Sequence, residues 1–357
     1  MVFLVIMAGG VGTRFWPRSR RKTPKQLLNI VGNETMLQSV VARLGNIATA
    51  DNLYVVSTLN QEEGILEQLP FLKPQNLIIE PKGKNTAPCI GLSSILLEQK
   101  DPDAVMVILP SDHIIRDYES FRKILRGAIE IAEKTDHLIT IGIEPTYPAT
   151  AYGYIQYDGE IEQPFSVPAY NVKTFAEKPD IETAELFIKS GDFLWNSGIF
   201  IWKISVILKA IKESLPELYY DLMEIKGAFG SPKEDETIRK VYRQIKGISI
   251  DYGVMEHAKN VIVLRGNFGW NDIGSWEEVY KISEKNKEGN VLRGNHVLRD
   301  VKGCLIDSPD KMVAAIGVQN LIIVDAGDAL LVCPRDQAEK IKDIVEIMNR
   351  KDMDKYL

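Results

Sequence analysis

Short apolar, β-branched runs recur at residues 2–8, 53–57, 76–79, 105–109 and 138–142, separated by polar and glycine-containing segments. Between them, residues 36–46, 87–99 and 118–134 carry apolar side chains at helical spacing, with Phe121, Ile124, Leu125 and Ala128 in the last. Near-continuous apolar strands alternating with helices predict a parallel sheet covered on both faces, so the first half reads as a doubly wound α/β unit. From Tyr152 the alternation breaks. A strand pair is expected around 154–157 and 170–176 and a helix over about 181–189, an insertion that would wall a pocket. Residues 286–332 read as short strands punctuated by Gly289-Asn290, Gly294-Asn295, Asp300, Gly303 and Ala326-Gly327-Asp328, which predicts a small all-β appendage. Pro334 then opens a helix over 335–350 with Ile341, Ile344, Val345 and Met348 on one face. That stripe is a packing surface within the chain or between subunits, and it keeps a homodimer open.

Composition narrows the class. The chain has 357 residues, 45% hydrophobic and 26% charged, with 26 Gly and 17 Pro, as a soluble globular protein does. Cores stop growing efficiently at about 250–300 residues, so a large domain with a smaller companion is expected. Forty-three Lys+Arg against 49 Asp+Glu leave a net charge of −6, and no global field exists to hold nucleic acid or an anionic membrane. Any phosphate binding must be local. No apolar run approaches the roughly 18 residues of a membrane span, and residues 1–8 lack the basic start of a secretion signal, so a cytoplasmic location is expected. Cys89, Cys304 and Cys333 show no CxxC spacing and read as small buried hydrophobes. His113, His137, His257 and His296 show no ligand spacing, and no zinc site is expected.

The first strand runs into Gly9-Gly10-Val11-Gly12-Thr13-Arg14, a turn where backbone N–H groups can approach phosphate unobstructed by Cβ. A dinucleotide fingerprint would need glycine where Phe15 stands, and a Walker loop would need Gly-Lys-Ser/Thr. A tight strand exit explains one or two of the glycines, but not Arg14, Arg18 and Lys25 clustered behind them. Asp112 follows an apolar run and a proline, at the carboxyl edge of a parallel strand where open α/β sheets bind ligands. A helix cap is the alternative reading of Asp112, and a turn residue that of Asp272.

Met7-Ala8-Gly9-Gly10-Val11-Gly12-Thr13-Arg14 followed by Pro24-Lys25 resembles the signature of the sugar-1-phosphate nucleotidyltransferases. Phe15-Trp16-Pro17-Arg18-Ser19 and Pro24-Lys25-Gln26 resemble the mannose-1-phosphate guanylyltransferases in particular. Matches continue in Glu80-Pro81 through Asn85-Thr86-Ala87-Pro88, Leu109-Pro110-Ser111-Asp112-His113, Tyr152-Gly153-Tyr154-Ile155, Phe175-Ala176-Glu177-Lys178-Pro179, Trp195-Asn196-Ser197-Gly198, Ser249-Ile250-Asp251-Tyr252-Gly253 and Trp270-Asn271-Asp272-Ile273-Gly274. The family more often has Arg where Lys84 stands, and its bifunctional members continue into an isomerase domain that a chain ending at Leu357 is expected to lack.

The resemblance implies a Rossmann-like α/β nucleotidyltransferase domain over 1–285 with a mixed, mainly parallel sheet. A β-helix-like appendage and terminal helix would occupy 286–357. It implies transfer of GMP from GTP to mannose 1-phosphate, giving GDP-mannose and pyrophosphate. Ala8, Gly9, Gly10, Gly12, Thr13, Asn85, Thr86, Pro88, Pro110 and Ser111 would bind the nucleotide. Arg14 and Lys25 would neutralise the triphosphate and the leaving pyrophosphate, and Lys178 would guide the incoming phosphate. Gly153, Glu177 and Asn196 would hold the sugar, and Asp112 and Asp272 would hold Mg2+, a hard cation suited to oxygen ligands. His113 is read as a neighbour and not a base, Arg20, Arg21 and Lys22 as a solvated face, and Trp195, Ile199, Phe200 and Trp202 as core. Another base or sugar is the nearest rival, which Phe15-Trp16 and Asn85-Thr86-Ala87-Pro88 oppose; a non-catalytic GDP-mannose sensor is the other, which the presence of Asp112, Asp272, Arg14 and Lys25 opposes.

Overall fold

A computed structural model describes residues 1–162 and 164–357. The strands are β1 Val2–Met7, β2 Leu53–Thr58, β3 Leu77–Glu80, β4 Val105–Pro110, β5 Leu138–Ile143, β6 Gly153–Glu160, β7 Tyr170–Glu177, β8 Phe193–Lys203 and β9 Val261–Gly266. They form one sheet in the order β3-β2-β1-β4-β8-β5-β9-β7-β6. Parallel pairing joins β3 to β2, β2 to β1, β1 to β4 and β5 to β9, while β8 and β7 run against the rest. The sheet is therefore mixed and mainly parallel, as expected. Alternate residues of β1 enter opposite cores: Leu4 and Ile6 pack with the helices Met36–Leu44 and Tyr118–Lys134, Phe3 and Val5 with Thr86–Glu98 and Ile204–Ser214. Burial on both faces is why this strand shows no polar alternation.

The insertion after Tyr152 pairs β6 with β7 antiparallel, and the helix Ile181–Ser190 follows. Trp195, Ile199, Phe200 and Trp202 on β8 are buried, as the reading of them as core requires. Among the described residues, no helix is long and apolar enough to cross a membrane.

The C-terminal unit holds β10 Val291–Arg299, β11 Leu305–Ile316, β12 Leu321–Asp325 and β13 Leu330–Pro334 in sequential order. Val291 pairs with Leu305 and Leu305 with Ile322, both in parallel, so the chain coils back on itself rung by rung without crossover helices. The strands β10 and β11 are longer than the punctuated sequence suggests, because a bulge at Gly294 lets pairing resume at His296. A Cβ on Gly294 would lie 1.8 Å from the Ser308 carbonyl oxygen. A 3-10 turn, Arg335–Lys340, precedes the helix Ile341–Arg350. Ile341, Val345 and Met348 are buried within the chain, while Ile344 of the same expected stripe is exposed.

Where the units meet, Phe15 packs in one core with Ile273, Trp276, Leu305, Ile322 and Ile341, and Trp16 lies against it, so this aromatic pair belongs to the contact with the C-terminal unit. Of the residues read as a solvated face, Arg21 and Lys22 are exposed, with Arg21 in a surface pair with Asp354, whereas Arg20 is partly buried and pairs with Asp328 of the C-terminal unit.

Candidate functional site

A cavity of about 570 Å3 opens at the carboxyl ends of the central strands and against the insertion. It brings together Gly9, Gly10, Asn85, Thr86, Pro110, Asp112, Gly153, Glu177, Asn196 and Asp272 from the residues singled out in the sequence. It does not include Ala8, Gly12, Thr13, Arg14, Lys25, Pro88, Ser111 or Lys178. Ala8, Pro88 and Ser111 are buried beneath it, and Thr13 faces a separate small cleft.

The glycine loop is held from below. Gln26 is buried and its amide nitrogen donates to the carbonyls of Ala8 and Gly10, at 2.6 and 2.9 Å. Gly12 has φ 73, and a Cβ there would lie 2.4 Å from Lys25 Cβ, so only glycine lets the loop close over that lysine. From Gly9 to Arg14, no backbone N–H donates to an acceptor among the described residues. A run of consecutive free amides in a tight turn is an anion-binding nest. Asn85, in the left-handed region at φ 72, accepts from Thr86 N–H at 2.8 Å and starts the helix Thr86–Glu98. The Thr86 hydroxyl in turn accepts from Ile250 N–H at 2.8 Å, linking this turn to the segment that carries Asp251.

At one end of the cavity, a two-residue antiparallel bridge between Ile114 and Asn271 sets Asp112 beside Asp272. Lys25 is buried between them and donates to Asp112 Oδ2 at 2.9 Å, to the Asp112 carbonyl at 3.0 Å and to the Asp272 carbonyl at 2.9 Å. An ammonium has three protons, so this one is fully engaged by protein. Lys25 thus joins the two aspartate segments. Tyr152 donates its hydroxyl to Asp272 Oδ1 at 2.8 Å, while Oδ2 carries no hydrogen bond among the described residues. Burial raises the Asp272 carboxyl above the usual range, against the Tyr152 hydrogen bond and the Lys25 charge, with the Asp112 charge adding to the rise. Burial pushes Asp112 upward too, but the Lys25 and His113 charges and the Lys25 hydrogen bond hold it below the usual range. His113 is driven down to about 4 by burial and accepts from Trp270 Nε1 at 3.1 Å, so it is neutral and engaged at pH 7. Among the described residues, no group of three or more His, Cys, Asp or Glu forms a metal cage. Two aspartates with an open oxygen suit a hard cation whose other ligands come from phosphate and water.

At the other end, Gly153 on β6 faces Glu177 on β7. A Cβ on Gly153 would lie 2.3 Å from Glu177 Oε2, so the glycine makes room for that carboxylate. Glu177 pairs with the exposed Lys178 at 2.6 Å, which places Lys178 at the rim. Asn196 donates to Asp251 Oδ1 at 2.6 Å and accepts from Gly198 N–H at 3.1 Å, leaving one amide proton for a ligand. Asp251 begins a π turn, Asp251–Met255, and burial, helped by the nearby Glu177 charge and opposed by the Asn196 hydrogen bond, raises its carboxyl to about 6.

Glu80, Tyr152, Asp251 and Trp270 line the cavity without having been assigned a role from the sequence. Glu80 ends β3, at the same carboxyl edge that singled out Asp112, so the signal was present. Burial raises its carboxyl to about 7, opposed by a hydrogen bond from Tyr242 at 3.2 Å. The other three needed the fold, because aromatic and acidic residues in loops are ordinary turn chemistry until their neighbours are known.

The nucleotidyl transferase family model matches residues 4–289, and a model described as a MannoseP isomerase/GMP-like beta-helix domain matches residues 294–348. A mannose-1-phosphate guanylyltransferase of Salmonella typhimurium is 38% identical over 362 residues, covering 100% of this chain and 74% of that protein. One from Klebsiella pneumoniae is 36% identical over 361 residues, covering 100% and 76%. A solved structure described as a mannose-1-phosphate geranyltransferase from Thermus thermophilus superposes with a TM-score of 0.86 at 30% identity, covering 98% of this chain and 99% of that one. Carrying the glycine loop, the aspartate pair and the coiled β unit over its full length, the chain belongs to the nucleotidyl transferase family, within the mannose-1-phosphate guanylyltransferases.

Proposed function

We propose that the protein transfers GMP from GTP to mannose 1-phosphate, giving GDP-mannose and pyrophosphate. The observation that carries this reading is one cavity joining Gly9 and Gly10, which open the run of free amides, with Asp112 and Asp272 and with Glu177, Asn196 and Asp251. The amides would take phosphate oxygens, as backbone nests do. Asp112 and Asp272 would hold a divalent cation such as Mg2+, which when bound supplies positive charge against the triphosphate. Lys25 keeps the two aspartates in register and Tyr152 holds Asp272 in place. A phosphate oxygen of the sugar phosphate attacks the α-phosphorus, the bond to the bridging oxygen of the β-phosphate breaks, and pyrophosphate leaves opposite. The attacking oxygen is already ionised, so no side chain has to remove a proton. Positioning and electrostatic stabilisation then supply the rate, without a covalent enzyme intermediate.

Base choice is read at Glu80. Guanine presents two adjacent N–H donors on its Watson–Crick edge, and one carboxylate accepts both; uracil and thymine present a single N–H between two carbonyls. Glu177 and Asp251 face the opposite end, where a hexose offers hydroxyl donors. Measuring pyrophosphate release from four NTPs against mannose and glucose 1-phosphates, with and without Mg2+, tests the reading. Faster turnover with UTP, dTTP or glucose 1-phosphate would overturn the substrate assignment, and binding of GDP-mannose without turnover would favour a sensor.

A further inference from the structure

We infer that the C-terminal β unit is a working part of the transfer site, and that Glu339 is the residue through which it positions Arg14. This rests on the reading of function above. The segment after the glycine loop presents Arg14, Arg18, Arg20 and Arg21, and each meets an acid of the C-terminal unit: Glu339 at 2.7 Å, Asp307 at 3.0 Å, Asp328 at 2.9 Å and Asp354 at 2.7 Å. Between these pairs, Phe15 packs in one core with Leu305, Ile322 and Ile341 of that unit, and Trp16 Nε1 donates to the Tyr356 carbonyl at 2.9 Å. The signature segment is thus clamped along its length by a unit that contributes nothing to the cavity lining.

The four pairs differ in where their cations reach. Arg18 and Asp307 are nearly buried, and Arg18 Nη1 donates to both oxygens of that carboxylate, which makes the pair a structural anchor. Asp354 and Asp328 are exposed, and such surface pairs contribute little to stability. Arg14 alone among the four points toward the aspartate cluster: its Nη1 lies 4.0 Å from where a Cβ on Gly274 would stand, a point 3.5 Å from Asp272 Oδ2. Glu339 meets the guanidinium at Nε. Among the described residues the Nε–H has no aligned acceptor, so the contact is a charge pair and not a hydrogen bond. A carboxylate at Nε restrains a flexible side chain while leaving the terminal N–H groups for a phosphate ligand. Ordering Arg14 before the nucleotide arrives favours the transition state, where charge builds on the departing pyrophosphate, more than it favours ground-state binding through the amide nest.

The test uses the full-length protein and steady-state pyrophosphate release with saturating mannose 1-phosphate and Mg2+. Glu339→Gln is expected to lower kcat about 10-fold, the low end for residues that orient a functional group from outside. KM for GTP should stay within about twofold and the melting temperature should not move, because the pair is half exposed at both ends. Glu339→Asp should recover most of the loss by restoring the charge. Asp354→Asn, which breaks the outward Arg21 pair, should leave kcat and KM unchanged. Wild-type kcat in Glu339→Gln overturns the inference. So does an equal loss in Asp354→Asn, which would mean general loosening of the clamp, or a gain in turnover with lower KM, which would mean that Glu339 restrains Arg14. If the wild type turns over a different NTP or sugar phosphate, the functional reading fails while the comparison of variants stands on those substrates.

Discussion

Carboxylates that face the same cavity are held in different electrostatic states. Asp112 is pulled below its usual range by the buried Lys25 ammonium, whereas burial dominates at Glu80 and Asp251 and carries them to about 7 and about 6. Asp112 keeps its charge against Lys25, Asp272 is raised by burial in spite of that charge, and Glu80 and Asp251 are desolvated acceptors suited to N–H and O–H donors. Burial by itself does not decide the role of an acidic residue. A cation counts most where it also donates to the carboxylate, as Lys25 does at Asp112 and not at Asp272.

The largest expected effect breaks the charged end. Asp112→Asn or Asp272→Asn should lower kcat by about 10²- to 10³-fold, the loss typical when a transition-state stabiliser is removed. Near-wild-type rates at low Mg2+ would remove both residues from the metal assignment. Lys25→Met keeps the bulk but leaves two neighbouring carboxylates without their strut. Breaking a buried pair costs about 3–5 kcal/mol, and the partial exposure of Asp112 brings the expectation to about 2–3 kcal/mol, read by urea unfolding. A loss confined to GTP affinity, with stability unchanged, would return Lys25 to the triphosphate.

The desolvated acceptors should respond more mildly and with pH. Glu80→Gln should weaken GTP about 10-fold, the range of a hydrogen bond lost from a charged group, and narrow the preference for GTP over other triphosphates. In the wild type, KM for GTP should fall as pH rises through about 7 and Glu80 ionises, and that dependence should vanish in the variant. Stability moves the other way. A raised folded-state pKa contributes stability that is full below the ordinary value near 4.5 and is lost as pH rises through about 7. Glu80→Gln should therefore gain up to about 3 kcal/mol on the wild type between pH 4 and pH 8, measured by denaturant unfolding. Smallest is Glu177→Gln: about a fivefold weaker mannose 1-phosphate with GTP binding little changed, by titration calorimetry. Collapse of GTP affinity there would abolish the division between the two ends.

Much of this arrangement was legible in the chain. The alternation of strands and helices, the glycine loop, Asp112 at a strand end and the strand pair of the insertion all follow from local rules, because period and turn chemistry act over a few residues. Clustering of Arg14, Arg18 and Lys25 with phosphate chemistry was also readable, but the partners of those cations were not. Lys25 is taken up by Asp112 and Asp272, which lie 87 and 247 positions away. Arg18 meets Asp307 across 289 positions, and Phe15 finds its core in the C-terminal unit. The sequence by itself determined which residue types stand at the edge of the sheet and therefore which family and chemistry they serve. Tertiary structure alone decided which carboxylate meets a cation, which arginines become fastenings and which lies near the aspartate pair, because charge states follow distances between residues that the chain order leaves free.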